Sequence, residues 1–235
     1  MSLTENLEKI QQRIRVACER TGRAPDSVAL LAVTKSQPPE MVRAVADGGQ
    51  LLFGENKVQE AKAKIPMCPG KLRWHFIGHL QSNKCRDAVE LFGMIQSVDN
   101  LVLAQEINRR AEQAGRTMPI LLEVNVAAEA SKFGYQPEKL LSELEILNQL
   151  PRLEIQGLMT VPPYVTDPQK ARPHFRRLAA LKIQCEQKLG VALPHLSMGM
   201  SGDFEAAIEE GATLVRIGTA LFGPRSAGKT RAAAE

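Results

Sequence analysis

The sequence has little that would suit it to nucleic acid, to a membrane or to an oxidising compartment. Aromatic residues make up only 4% of the 235 residues and the formal net charge is +4, so neither base stacking nor a basic surface favours a nucleic-acid partner. No uninterrupted apolar run approaches the roughly 18 residues that a membrane-spanning helix requires. The four cysteines include no Cys-x-x-Cys pair. These absences predict a soluble protein with reduced, mostly buried thiols.

The N-terminal segment also lacks the features of a secretion signal. Glu5 and Glu8 stand where a signal peptide would carry an apolar run, and we therefore expect the protein to be cytoplasmic. The rest of the composition, 44% hydrophobic and 24% charged residues, is that of an ordinary globular protein with a full core. The modest positive charge is compatible with a small anionic ligand.

Short apolar runs alternate with helical patterns along the chain. A Ser2-x-x-Glu5 capping box opens a helix before the first strand. Eight strand and helix units, at a length near the roughly 250 residues typical of the class, predict a single (β/α)8 TIM-type barrel with an extra N-terminal helix. An open doubly wound sheet is the alternative, but it rarely uses eight such short, even units. The predicted strands cover residues 30–35, 51–54, 72–77, 94–98, 119–126, 153–159, 195–198 and 213–217.

No linker or change of composition divides the chain. We therefore expect one barrel domain over residues 1–224. Residues 225–235 are small and charged for the most part, and we predict a disordered tail there. A closed barrel does not need a partner subunit, so we expect a monomer.

The first predicted strand ends in a lysine. Pro38 and Pro39 prevent the strand from continuing, so Lys35 lies at the carboxyl end of a buried parallel strand, where α/β folds bind ligands. A desolvated lysine amine can form an imine with an aldehyde. The stretch alone leaves open a simpler interpretation, a lysine that extends from the strand end to solvent.

Two glycine-containing loops near the end of the barrel are suited to bind phosphate. The loops after strands seven and eight of such barrels commonly hold phosphate groups. Here the first contains Ser201, and the second contains Gly218 and Thr219. Glycine lets backbone N–H groups approach phosphate oxygens, and the two hydroxyls are further donors. Each loop alone is equally compatible with helix caps and turns, and we assign Asp203 to capping because its charge would repel a phosphate.

Strands one and eight are neighbours in a closed barrel, so Lys35 and both loops share one mouth. A phosphate site beside an imine-forming lysine points to pyridoxal 5′-phosphate. Arg216 suits the same cofactor, because an arginine opposite the pyridine nitrogen cannot accept a proton and disfavours the protonated ring. Alternatively, Arg216 pairs with a carboxylate such as Glu123 inside the barrel.

The histidines do not suggest a metal site. His75 and His79 are four residues apart but straddle a predicted strand end, where this spacing does not place both on one face. His174 and His195 have no ligating residues beside them. We therefore predict no bound metal.

Five motifs follow one another along nearly the whole chain. They are Ala32-Val-Thr-Lys35, Phe53-Gly-Glu-Asn56, Trp74-His-Phe-Ile-Gly-His-Leu-Gln-Ser-Asn-Lys84, Ser197-Met-Gly-Met-Ser-Gly-Asp203 and Val215-Arg-Ile-Gly-Thr-Ala-Leu-Phe-Gly223. Together they resemble the YggS/PROSC family of pyridoxal phosphate homeostasis proteins. The resemblance implies a barrel related to the N-terminal domain of alanine racemase, with Lys35 as the Schiff-base lysine. It also implies a phosphate held by Ser201, Gly218 and Thr219, a ring nitrogen faced by Arg216, and Asn56 beside the cofactor.

The same resemblance implies a role in cofactor supply, since the family is thought to manage intracellular pyridoxal phosphate and has no established turnover. Racemisation needs a second acid or base on the opposite face of the substrate. In alanine racemase that group is a tyrosine from a second domain of a partner subunit. The only tyrosines here, Tyr135 and Tyr164, each lie on a predicted loop.

We therefore expect a non-enzymatic carrier or buffer that meets apo-enzymes transiently. A pyridoxal phosphate-dependent amino-acid racemase or decarboxylase is the main alternative. A regulatory scaffold that senses the cofactor is a third interpretation, with the N-terminal helix as its contact surface.

Overall fold

The structure, a computed structural model, describes residues 2–127, 129 and 133–224. Eight parallel strands form a closed barrel in which each strand pairs with the next and the last pairs with the first. They are β1 (Ala29–Val33), β2 (Leu52–Glu55), β3 (Arg73–Phe76), β4 (Met94–Val98), β5 (Met118–Glu123), β6 (Leu153–Met159), β7 (His195–Ser197) and β8 (Leu214–Ile217). The predicted (β/α)8 barrel with a preceding helix is confirmed. The tail predicted for residues 225–235 lies outside the described residues.

Nine α-helices are found among the described residues, and they surround the strands. They are α1 (Leu3–Arg20), α2 (Pro39–Asp47), α3 (Val58–Lys64), α4 (Cys85–Leu91), α5 (Leu101–Gln113), α6 (Pro137–Asn148), α7 (Arg172–Leu189), α8 (Phe204–Glu209) and α9 (Thr219–Phe222). Short 3-10 helices cover Pro25–Ser27, Ile65–Met67, Ser82–Lys84 and Pro168–Ala171. None of the described helices combines the length and the apolar character that crossing a bilayer would demand.

The core has two layers, as the alternation of side chains along barrel strands requires. A large apolar layer fills the space between the strands and the helices. A smaller cluster includes Leu31, Val33 and Leu214, and it fills the barrel interior. Lys35 follows Leu31 and Val33 at the same two-residue interval, just beyond the end of β1. Of the four cysteines, Cys18, Cys85 and Cys185 are buried and Cys68 is half-buried, all as free thiols.

The N-terminal helix α1 completes the outer ring of helices. The predicted capping box is present: Ser2 Oγ accepts from the Glu5 N–H at 3.2 Å, and the Glu5 carboxylate accepts from the Ser2 N–H at 3.0 Å. Helix α1 packs against α2, α8 and α9. Since α9 has only four residues, α1 occupies the place in the ring that a full helix after β8 would fill.

Several strand bounds differ from the predicted ones by one to three residues. Strand β1 ends at Val33, so Lys35 lies beyond the strand rather than in its last position. Strand β2 extends to Glu55 instead of ending at residue 54. Strand β5 ends at Glu123 instead of continuing to residue 126.

Candidate functional site

A cavity of about 360 Å³ opens at the carboxyl ends of the strands. Small-molecule sites commonly occupy about 300–1,000 Å³, so this volume suits a ligand of moderate size. A second cavity, of about 380 Å³, lies between α6 and α7 and contains none of the predicted site residues. All six predicted site residues line the first cavity: Lys35, Asn56, Ser201, Arg216, Gly218 and Thr219.

Lys35 lies in a turn directly after β1. Thr34 is buried, Lys35 is half-buried and Ser36 is exposed. Ser36 has a φ of 63°, in the left-handed region that costs an L-residue about 1–2 kcal/mol. Its N–H donates to Glu60 Oε1 at 2.6 Å. The chain thus turns sharply at Lys35, and helix α3 holds the far side of the turn.

Asn56 follows β2 and places an amide at the cavity wall. Its Oδ1 is buried without a hydrogen-bond partner among the described residues, which is uncommon for a buried polar atom. Gly78 permits the close approach of the Asn56 backbone, since a Cβ at position 78 would lie 2.2 Å from the Asn56 carbonyl oxygen. The wall therefore holds a buried acceptor that a bound donor would satisfy.

The loops after β7 and β8 are joined through Ser201, whose Oγ accepts from the Ala220 N–H at 3.1 Å. Within the described part of the chain, the N–H groups of Ser201 and Gly202 donate to no protein acceptor. A Cβ would meet nothing within 4 Å at Gly202 and no atom nearer than 3.6 Å at Gly218. The fold itself therefore does not require glycine at these two positions, which fits backbone that a ligand approaches closely.

Asp203 occupies the N-cap position of α8, as the sequence predicts, but its side chain does not form the capping bond. It precedes α8 but makes no side-chain bond to that helix; its Oδ1 accepts from the Met200 N–H at 2.6 Å and closes the turn before α8. Asp203 also lines the cavity, where its charge opposes an anion. Burial raises the pKa of its carboxyl, which reduces that charge at a given pH.

Arg216 is held by a chain of hydrogen bonds inside the barrel. Its Nη1 donates to Ser197 Oγ at 2.6 Å and its Nη2 to the Thr160 carbonyl oxygen at 2.7 Å. Ser197 Oγ in turn donates to Gln96 Oε1 at 2.6 Å, and Gln96 Nε2 lies 2.9 Å from His75 Nδ1. Burial lowers the pKa of His75 to about 4, so its neutral ring can accept this bond. The chain fixes the orientation of the guanidinium.

Among the described residues, no carboxylate forms a direct ion pair with Arg216, whose guanidinium donates to Ser197 and Thr160 instead. The alternative of a direct pair with Glu123 is therefore not found, although the two charges interact at longer range. Desolvation lowers the pKa of Arg216 to about 10, with Glu123 and Asp203 opposing the shift, so the side chain stays cationic at neutral pH. Burial raises the pKa of Glu123 to about 7. The cavity wall therefore carries a buried cation that favours an anionic or electron-rich ligand.

The chain matches known proteins over nearly its whole length. Residues 6–226 match the family described as alanine racemase, N-terminal domain. A pyridoxal phosphate homeostasis protein of Aquifex aeolicus is 46% identical over 226 residues, which cover 96% of this chain and 99% of that protein. A protein of the same name from Pseudomonas aeruginosa is 44% identical over 228 residues, 97% of each chain. The chain belongs to this family of pyridoxal phosphate homeostasis proteins.

Solved structures agree with this family membership. PipY of Synechococcus elongatus, solved with PLP bound, is 37% identical and superposes with a TM-score of 0.83 over 94% of this chain and 100% of that chain. An alanine racemase from Clostridium difficile in complex with cycloserine matches 96% of this chain and 60% of that chain at a TM-score of 0.73. At 17% identity the second likeness concerns the fold alone. The family resemblance predicted from the five motifs is confirmed.

In this homeostasis-family protein, one wall of the cavity is formed by residues that lie outside the five sequence motifs. Val161, Tyr164 and Val165 line it from the loop between β6 and α7. The strand count places this loop at the same mouth, but no motif indicates which of its side chains reach the cavity. Tyr164 is 87% exposed, whereas Tyr135 is buried and does not line the cavity.

The two histidines of the third motif have different surroundings. His75 lies in β3 and takes part in the interior chain. His79 lies 3.4 Å from an Asp99 carboxylate oxygen and stacks on Phe133, with ring centroids 3.6 Å apart. Among the residues that the structure describes, no group of three or more His, Cys, Asp or Glu side chains is arranged to hold a metal ion.

Proposed function

We propose that this protein binds pyridoxal 5′-phosphate in the cavity, with Lys35 holding it as a covalent Schiff base. In this proposal it acts as an intracellular carrier or buffer of the cofactor, without turning over a substrate. The observation that carries the proposal is that a lysine at a strand end and two phosphate-type loops line one cavity. The names of the relatives support it, as does the PipY structure with PLP bound.

The residues present fit the groups of this cofactor. The free amides of Ser201 and Gly202 and the Thr219 hydroxyl suit a phosphate, and Gly218 leaves room for it. The unpaired Oδ1 of Asn56 suits a hydroxyl or N–H donor. When bound, the cofactor supplies an aldehyde carbon to which a lysine amine can add with loss of water.

Arg216 supports a holding role rather than carbanion chemistry. A guanidinium has only donors, so beside a pyridine nitrogen it favours the unprotonated ring. The Arg216 side chain is buried and fixed by two hydrogen bonds, so it cannot move away from the ring. An unprotonated ring is a weaker electron sink, which fits a protein that retains its cofactor.

One observation favours the alternative, an amino-acid racemase or decarboxylase. Tyr164 lines the cavity, and a phenol there could serve as the second acid or base of a racemisation. Its 87% exposure, however, leaves the side chain in solvent rather than fixed against a reacting atom. We therefore favour the carrier role.

A carrier role has consequences for the whole protein. The open mouth would meet apo-enzymes transiently while the cofactor passes between them. We further propose that the protein is a cytoplasmic monomer, with a single barrel domain over residues 1–224.

Absorbance and borohydride trapping test the lysine assignment. The full-length protein mixed with the cofactor should show imine absorbance, and borohydride should fix the cofactor on the peptide that contains Lys35. Lys35→Ala should abolish both signals, whereas Lys71→Ala, which changes an exposed lysine, should retain them. Imine absorbance retained in Lys35→Ala would refute the assignment.

Turnover assays separate the carrier from the enzyme. The wild-type protein loaded with cofactor should neither racemise nor decarboxylate the common amino acids. Activity that disappears in Lys35→Ala and falls in Tyr164→Phe would favour the enzyme instead.

A further inference from the structure

A second lysine, Lys64 of α3, contacts the turn that carries Lys35. The Lys64 side chain is 5% exposed. Its ammonium donates to the Thr34 carbonyl oxygen at 2.7 Å, to Glu55 Oε1 at 2.6 Å and to Glu60 Oε1 at 2.7 Å. These bonds use all three donors of an ammonium group. Lys64 does not line the cavity, so the proposed cofactor contacts do not explain it.

The Lys64 network holds the backbone on both sides of Lys35. Before Lys35, the Thr34 carbonyl oxygen accepts from the Lys64 ammonium. After Lys35, the Ser36 N–H donates to Glu60 Oε1 at 2.6 Å, and this same oxygen accepts from Lys64. Lys64 therefore stabilises the turn on both sides of Lys35: it bonds directly to Thr34, and through Glu60 it supports the left-handed conformation of Ser36.

Glu55 anchors the network to the neighbouring strand β2. Its Oε1 accepts from the Thr34 hydroxyl at 2.6 Å as well as from Lys64. Glu55 is fully buried, and its Oε2 has no partner among the described residues. Buried charges of this kind are expensive, and apolar side chains of similar volume often stabilise a fold as well or better. Strain and buried charge next to a ligand cavity indicate a requirement for position rather than for stability.

We propose that Lys64, Glu60 and Glu55 are positioning residues that hold the Lys35 turn so that its amine reaches an aldehyde bound in the cavity. This inference rests on the proposed function, because it assumes the Lys35 link. Its consequence is specific. Loss of the network should weaken the covalent link while leaving the phosphate and ring contacts intact, since the loops after β7 and β8 make no bond to Lys64.

Two ligands that differ at one carbon test the proposal in the full-length protein. Pyridoxal 5′-phosphate carries the aldehyde, whereas pyridoxine 5′-phosphate carries an alcohol at that carbon and cannot form an imine. Wild-type protein should bind the aldehyde more tightly. In Lys64→Met, affinity for the aldehyde should fall about tenfold, the scale of lost bonds to a charged group, and affinity for the alcohol should stay unchanged.

Methionine keeps the length of the lysine chain but has no donor. Burial already raises the pKa of Glu55, so this carboxyl can take up a proton when its cation is removed. Lys62→Met is the matched control on the same helix: Lys62 is 57% exposed and pairs with Asp87 at 3.2 Å on the surface. Both ligands should bind this control as they bind wild type.

The outcomes are distinct. Unchanged aldehyde affinity in Lys64→Met, or an equal loss for both ligands, would overturn the positioning role. Should Lys64→Met fail to fold by circular dichroism, Glu60→Ala carries the same comparison, since it removes the Ser36 bond and one Lys64 bond from a side chain that is 26% exposed. Equal binding of the two ligands by wild type would instead refute the Lys35 link itself, and the positioning role with it.

Discussion

At the scale of single residues, the barrel interior contains a polar chain where such barrels ordinarily pack branched aliphatic side chains. Ser197 lies at its centre, because its hydroxyl accepts from Arg216 and donates to Gln96. Together with the Thr160 carbonyl oxygen, the Ser197 hydroxyl allows the Arg216 guanidinium to be buried (4% exposed) with no ion-pair partner among the described residues. Each member depends on the next for its hydrogen bonds, so the loss of one leaves others unsatisfied.

We predict that Ser197→Ala lowers the free energy of unfolding by about 2 kcal/mol, because it leaves a charged donor and an amide oxygen buried without a partner. Ser97→Ala is the control. Ser97 is equally buried, and its Oγ has no partner among the described residues. Its replacement should change the free energy by less than about 0.5 kcal/mol. Urea unfolding of the cofactor-free proteins measures both, and equal losses would contradict the role of the chain.

Glu123 gives the protein a specific pH dependence. Burial raises the pKa of its carboxyl from 4.5 to about 7, with Asp99 adding to the shift and Arg216 opposing it. The folded state therefore keeps the proton between these two values while the unfolded state has lost it. Stability consequently falls as the pH rises from about 4.5 to about 7 and is constant above that range for this group.

Glu123→Gln should remove this dependence. The free energy of unfolding of the variant minus that of wild type should increase by about 2 kcal/mol as the pH rises from 5 to 8. Urea unfolding of cofactor-free protein at the two pH values gives this difference directly. A difference that does not change with pH would show that Glu123 is ionised in the folded protein throughout.

At the scale of elements, the end of a helix depends on the backbone conformation and hydrogen bonds of a few neighbouring residues, away from the cavity. Helix α7 ends at Leu189, and the residue that caps it, Gly190, has a φ of 69°. Its N–H donates to the Glu186 carbonyl oxygen at 2.8 Å. A left-handed residue after the last turn is the common way for a helix to satisfy its final carbonyl groups.

Gly190→Ala should cost about 1 kcal/mol of stability, because an L-residue is strained in this conformation. Steric contact does not contribute, since a Cβ there would meet nothing within 4 Å. Gly70→Ala is the matched control. A Cβ at position 70 would also meet nothing within 4 Å, but the φ of Gly70 is not in the left-handed region. Thermal or urea unfolding should place Gly70→Ala within about 0.5 kcal/mol of wild type; a similar loss in both would refute the conformational explanation.

At the scale of the whole molecule, the barrel closes between its first and last strands, and the proposed site joins residues from both. Lys35 follows β1, while Gly218 and Thr219 follow β8. In the β1–β8 ladder Leu31 is paired with Arg216. A ligand that bridges these two strands would bind only the folded chain and would therefore stabilise the whole barrel.

Pyridoxal 5′-phosphate at 100 times its Kd should stabilise the wild-type protein by about 2.7 kcal/mol. This corresponds to a rise in Tm of about 5–10 °C for a domain of this size. The rise at the same cofactor concentration should be much smaller for Lys35→Ala. Differential scanning calorimetry measures it, and a Tm that does not respond to the cofactor would argue against binding in the folded barrel.

Several features followed from the sequence alone. Eight apolar runs separated by helical patterns predicted the closed barrel, because only a barrel accommodates so many short parallel strands without edges. Once the barrel was predicted, Lys35 and Ser201 had to share a mouth, since the carboxyl ends of all its strands lie at one end. The capping box of Ser2 and Glu5 could be predicted because it depends on neighbouring residues only.

Only the tertiary structure decided which side chains meet across strands. In the sequence, Lys64 is indistinguishable from other lysines of a helix. Its contact with the turn that carries Lys35 depends on how α3 packs against that turn. The chain from Arg216 to His75 joins four strands, and the contact of Tyr164 with the cavity depends on the path of its loop. The physical reason is one of range: turns and periodicity are set within a few residues, whereas these contacts are set by the packing of segments far apart in the chain.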